Sequence, residues 1–243
     1  MSSISFKNYS HIASLSNMSN TEVAGRFAFQ QEAERKILSD LLVKLDLEVS
    51  DSLLEIGCGP GNLLVPLSGF CDKAAGIDNE AAITRLKNRF AKDAELTCIP
   101  GNFLEMNLPT SHFDKILIYG VLQYLSNRDE VLDFIGRALS ILKPGGRMLL
   151  GDLPNISKKS RFVNSESGRE IAKNWAEQIK DAGGKHPLEK MESDSQLITF
   201  DDALVLDLIA FIRGKGFESF LLPQPLGLPF GGSREDILVV AHC

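Results

Sequence analysis

Apolar and polar positions along the chain alternate between two periods. Short, largely apolar runs closed by Gly, Asp or Asn stand at residues 53–56, 73–78, 95–99, 113–120 and 148–151, each the length of a buried strand. Between them apolar residues recur at helical spacing, as in Ile83, Leu86 and Phe90, and again in Val131, Leu132, Ile135, Ala138, Leu139 and Leu142. Strands that alternate with amphipathic helices predict an α/β fold, a mostly parallel sheet with helices on both faces.

The flanks read differently. Residues 1–20 are polar with scattered apolar positions and predict a loosely held arm. Over residues 21–47, Ile37, Leu38, Leu41, Leu42 and Leu45 share one helical face, which predicts an amphipathic helix capping the sheet. Residues 155–196 are charged and irregular, with a helix expected over 167–182 that carries Trp175; this segment is expected to be a lid or a solvated insertion. Thr199 is a candidate N-cap, with Asp202 three residues on, for a helix built on Leu204, Leu208, Ile209 and Ile212. Two further strands, 218–222 and 236–242, follow it across a Pro/Gly-rich loop at 223–232.

Composition narrows the function classes. At 243 residues, with 44% hydrophobic and 24% charged residues, the chain suits one α/β domain, or at most one domain plus an elaboration. A formal net charge of -6 disfavours a general nucleic-acid binder. Cys58, Cys71, Cys98 and Cys243 have neither paired nor metal-ligand spacing, so reduced thiols and no metal site are expected. Neither a signal-like apolar run nor a membrane-length stretch occurs, which leads to the expectation of a cytoplasmic protein without a membrane partner.

Candidate chemistry concentrates in Glu55-Ile56-Gly57-Cys58-Gly59-Pro60-Gly61, an apolar strand ending in a glycine turn where backbone can approach a ligand. Position 62, where a dinucleotide fingerprint wants its third glycine, is Asn, and no phosphate-gripping lysine follows. Asp78 closes the next strand, where a nucleotide-binding unit places an acid for ribose hydroxyls; Asn79 can cap the following helix. The glycine string, with Leu142-Lys143-Pro144-Gly145-Gly146-Arg147 before the fifth strand, resembles class I methyltransferases that use S-adenosylmethionine (SAM).

That resemblance implies a doubly wound seven-stranded sheet with an antiparallel last strand, and methyl transfer to a small-molecule acceptor. It divides the chain into an arm and capping helix (1–47) and a methyltransferase domain (48–243) with an inserted lid-like segment (155–196). Glu55, Gly57, Gly59, Gly61, Asp78, Asn79, Asn102, Phe103 and Tyr119 are the implied cofactor residues, Asn102 and Phe103 on the adenine side. Asp152 and Tyr119 are the implied catalytic pair, with Gln123 and Asn155 near the acceptor and Tyr9, Arg26 and Phe29 as lid candidates. A non-catalytic SAM-binding subunit and a nicotinamide-dependent oxidoreductase share the fold and stay open, as do the acceptor's identity, the atom methylated and a monomeric or homodimeric state.

Overall fold

The computed structural model describes residues 3–90, 96–183 and 197–243. Seven strands form one sheet: β1 (Ser52–Ile56), β2 (Lys73–Asp78), β3 (Leu96–Pro100), β4 (Phe113–Tyr119), β5 (Leu142–Pro154), β6 (Glu218–Pro223) and β7 (Arg234–Val240). Their order is β3-β2-β1-β4-β5-β7-β6. Strands β1 to β5 pair in parallel, and β7 runs antiparallel to both β5 and β6. The carboxyl ends of the parallel strands therefore share one edge with the start of β7, and strand order reverses across β1 and β4, which is where open α/β sheets take ligands.

Alternation of side chains sorts the core into two layers. One face carries Leu54, Ile77, Ile116, Met148 and Ile237 under helices α7 (Arg128–Ile141) and α10 (Asp202–Gly214). The other carries Leu53, Ala74, Leu117 and Leu149 under α4 (Ile37–Leu45), α5 (Leu64–Leu67) and α6 (Glu80–Lys87). Between β5 and α10 lie α8 (Ile156–Val163) and α9 (Glu166–Asp181). The expected lid covers both, although its residues 184–196 lie outside the described residues, as does Glu95 of the expected third strand. Among the described residues no helix is long and apolar enough to cross a membrane.

Several local expectations are corrected. The polar N-terminal stretch is helical as α1 (Ser3–Ser14), with Ile12 and Ala13 buried against α6. Arg85 explains this: its guanidinium donates to the carbonyls of Ala13 (2.6 Å), Met18 (2.9 Å) and Leu15, satisfying the C-terminal end that a lone short helix leaves open. The single helix expected over 21–47 is broken into α2 (Asn20–Val23), α3 (Gln31–Arg35) and α4, interrupted after Gly25 at φ 78°. Asp201, not Thr199, caps α10, accepting from the Leu204 N–H at 2.8 Å. Strand β5 begins at Leu142 and not at 148, absorbing Lys143-Pro144-Gly145-Gly146, because Gly145 and Gly146 pair with His242 and Ala241.

Arg85→Ala should therefore free the N-terminal helix while sparing the sheet. Loss of these charge-assisted bonds predicts about 1.5–3 kcal/mol less local stability. Hydrogen exchange at residues 12–18 would accelerate while residues 53–56 stay protected; unchanged exchange at 12–18 would refute the anchoring role.

Candidate functional site

At the carboxyl edge of the sheet, a cavity of about 250 Å³ is bounded by the β1 turn, the ends of β2, β4 and β5, and the N-terminal segment. Gly57 and Gly59 build its floor because the chain must reverse with positive φ, 79° and 53°, and Gly61 completes the turn at 78°. At Gly59 a side chain would meet no protein atom within 4 Å, so open space lies above the turn. The Asp78 carboxylate accepts from the Gly59 N–H (2.7 Å) and from the backbone and side-chain N–H groups of Asn79 (2.6 and 2.7 Å). Asn79 also caps α6 through Ala82, so it positions Asp78 and does not line the cavity.

Glu55, Gly57, Gly59, Asp78 and Tyr119 all line this cavity, with Asp152, Gln123, Tyr9 and Arg26. Gly61 lies one turn behind it, against Leu86. Phe29 stacks on Phe27 (5.2 Å between ring centres) and is absent from the lining. Asn102 and Phe103 also lie off it: Asn102 caps the short turn after β3, and Phe103 is buried against Phe134 at 4.9 Å. Their turn still touches the site's edge, because the Gly101 N–H donates to the Asp78 carbonyl at 2.8 Å.

Residues that line the cavity carry buried polar atoms with no hydrogen-bond partner among the described residues: Glu55 Oε2, Arg26 Nε and Gln123 Oε1. Groups left so are costly in a finished core and ordinary in a site that awaits a ligand. Burial, then the nearby Asp78 carboxylate, pushes the Glu55 carboxyl well above its usual range, with Arg26 and the Leu64 N–H opposing. Burial also raises Asp78 against the N–H groups it accepts. Burial, Asp152 and Asp236 raise the Tyr119 phenol well above its ordinary value, so it keeps its proton.

Asp152 reaches the cavity through a β-bulge. Leu150 pairs with Ile237 and Leu153 with Glu235, so β5 holds one residue more than β7 between those pairs. Asp152 absorbs it at φ 59°, and its N–H donates to the fully buried Asp236 at 2.9 Å. Its carboxylate then faces Arg26 at 3.7 Å and Arg234 at 3.9 Å. Asp236 in turn takes Lys44 at 2.7 Å and the Gln224 amide at 2.8 Å, and that same amide nitrogen reaches the Tyr119 hydroxyl at 3.2 Å.

Sequence reasoning did not single out Lys44, Gln224, Arg234 or Asp236. An acid opening the apolar run Ile237-Leu238-Val239-Val240 was the available signal for Asp236; Gln224, between two prolines, offers none. Asn155 is buried but spends its amide on Asp202 (2.8 Å) and Glu235 (2.6 Å) and its oxygen on capping α8. Asn62, in place of a third glycine, donates to the Asn20 carbonyl and to Glu34, clasping the N-terminal segment over the turn.

Residues 54–150 match the model of a methyltransferase domain. Over these residues the chain is similar to methyltransferase domains. The chain is 28% identical over 149 residues to a 27-O-demethylrifamycin SV methyltransferase of Amycolatopsis mediterranei (strain S699), covering 59% of this chain and 54% of that protein. It is 30% identical over 162 residues to a ubiquinone biosynthesis O-methyltransferase of Bradyrhizobium sp. (strain ORS 278), covering 63% and 58%. The chain thus spans little more than half the length of these relatives. The structure of the N-methyltransferase NodS from Bradyrhizobium japonicum WM9, in complex with S-adenosylhomocysteine (SAH), superposes with a TM-score of 0.62 over 98% of both chains at 14% identity, a likeness of fold.

The raised Glu55 carboxyl has a consequence for stability. A carboxyl that holds its proton more tightly when folded contributes stability at low pH and loses it as pH rises through its folded-state value. Glu55→Gln removes that loss, so its stability relative to the parent chain should climb as pH increases. Urea denaturation at about pH 5 and about pH 8 measures the difference; a gap that stays constant or narrows with pH would contradict the burial argument.

Proposed function

We propose that the chain moves a methyl group from SAM to a small-molecule acceptor by in-line displacement, leaving SAH. The observation that supports this most strongly is the joining, around one cavity, of Glu55 with its unpartnered Oε2, the open space over Gly59 and Asp78. A ligand that carries a cationic amine and vicinal hydroxyls answers all three: Asp78 would accept from ribose hydroxyls, the Gly57–Gly61 turn would pack on the backbone-facing side, and Glu55 would accept from the amine. Asn102, in the turn tied to Asp78 by Gly101, is assigned to the adenine side, with Phe103 supporting that turn from the core.

The bound cofactor would supply a methyl group already activated on sulfur. The protein's task is then alignment, which can lower a barrier by about 7–11 kcal/mol without a dedicated base. Tyr119 and Asp152 close the opposite wall at the ends of β4 and β5. The protonated phenol of Tyr119 is a donor for orienting the acceptor, and Asp152, engaged by Arg26 and Arg234, fixes the guanidiniums around it. Helix α9 brings Trp175 to the mouth, and the described part of the expected lid, residues 155–183, is read as the cover over both substrates.

Two substitutions separate cofactor binding from folding. Asp78→Ala should weaken SAH binding by about 1.5–3 kcal/mol, roughly 10–150-fold, in calorimetric titration; parent-like affinity would remove Asp78 from the site. Gly59→Val should retain the fold at a cost of about 1–2 kcal/mol or more for its left-handed backbone while abolishing SAH binding, because its side chain occupies the space above the turn. Normal SAH affinity in that variant would place the cofactor elsewhere.

A further inference from the structure

A second cavity, of about 400 Å³, adjoins the first beneath α8, α9 and the loop that precedes β7. The two share Trp175, Phe230 and Arg234. Trp175, the only tryptophan in the sequence, sits edge-on to Phe230 at 5.6 Å and to Phe29 at 5.2 Å, and so stands at the junction. Beyond it the walls are apolar, built by Phe162, Val163, Ile171, Leu226 and Leu228. Leu226 is 60% exposed and Ile171 44%, which leaves apolar lips at the entrance. Apolar side chains held open to solvent beside a reaction site favour an apolar occupant.

Charge restricts that occupant further. Among the described residues the lining contains two cations, Lys159 and Arg234, and no acid. Lys159 makes no ion pair among the described residues, and Arg234 shares Asp152 with Arg26 while its guanidinium stacks over Phe230 at 4.9 Å. Resting on the reading of the first cavity as the methyl-transfer site, we infer that the second cavity holds the body of the acceptor, and that the acceptor is an apolar oxyanion, an aromatic or long-chain carboxylate or phenolate. Its hydrocarbon fills the space under α8 and α9, and its oxygen lies at the Arg234 junction, facing the first cavity. Methylation there balances without a base: an oxygen lone pair forms the new O–CH3 bond, the S–CH3 bond breaks with its electrons returning to sulfur, and a neutral ester or ether leaves beside SAH. That accords with Asp152, whose carboxylate is already engaged by two arginines.

Calorimetric titration of the full chain with 2-naphthoate and with neutral 2-naphthamide tests the inference. Naphthoate should bind at one site at least about tenfold more tightly than naphthamide, a difference of about 1.4 kcal/mol. Leu226→Asp and Ala172→Asp, both at exposed positions, should each weaken naphthoate about tenfold or more while leaving SAH affinity within about twofold of the parent. Lys159→Gln should weaken naphthoate alone. Equal affinity for acid and amide, or naphthoate binding untouched by both aspartate variants, overturns the inference. Because naphthoate is titrated without SAH, a chain that binds naphthoate and no SAH would refute the methyl-transfer reading, whereas one that binds SAH and no naphthoate would refute this one.

Discussion

Glu55, Asp78, Asp152 and Asp236, buried at one edge of the sheet beside Glu235, are the constraint to which the rest of the structure answers. They sit at the ends of β1 and β2, in the bulge of β5 and at the start of β7. Removing acids from water is expensive, and desolvation is the leading cause of the raised values at Glu55, Asp78 and Asp236. Compensation comes from two directions. Backbone N–H groups of Gly59 and Asn79 serve Asp78, and cations brought from elsewhere in the chain serve the other end, with Lys44 on Asp236 and Arg26 with Arg234 on Asp152.

The N-terminal segment follows from this need. Arg26 and Lys44 both precede β1, so the acidic edge is neutralised only when that segment is folded over it. Glu34 fastens the arrangement by accepting from Thr21 (2.9 Å) and Asn62 (2.9 Å) and pairing with Arg26 (3.4 Å), and Arg85 fastens the helix before it. Breaking one partner of a buried pair typically costs about 3–5 kcal/mol, so folding of the cap and assembly of the site are one event in energy terms. The bulge at Asp152 belongs to the same logic. A left-handed, non-glycine residue is strained, and Asp236 holds it there through the Asp152 N–H, turning a packing irregularity into a side chain aimed at the cavity.

What the sequence disclosed and what it concealed divide along the range of the interactions. The glycine turn, Asp78 as a strand-end acid and Asn79 as a cap depend on neighbours a few residues away, and the alternation of strands and helices depends on local period; all of these were legible. The parallel sheet and its antiparallel closing strand followed from that alternation and the family resemblance. The partnership of Asp152 with Arg26, or of Lys44 with Asp236, joins residues far apart in the chain and leaves no mark in either local pattern. Backbone pairing overrode turn chemistry at Gly145 and Gly146, where the end of the chain recruited residues expected to precede the fifth strand. The resemblance placed Phe103 on the adenine side, whereas its burial against Phe134 is a property of the packed core that no local pattern marks.

The central claim is that the cavity between the β1 glycine turn and the bulge of β5 is where SAM binds and gives up its methyl group. A crystal structure of the full chain with SAH tests this most directly. The account predicts SAH with its ribose at Asp78, its amine at Glu55 and its sulfur facing Tyr119 and Asp152. SAH bound outside this cavity, or lying with its sulfur turned away from Tyr119 and Asp152, would contradict it.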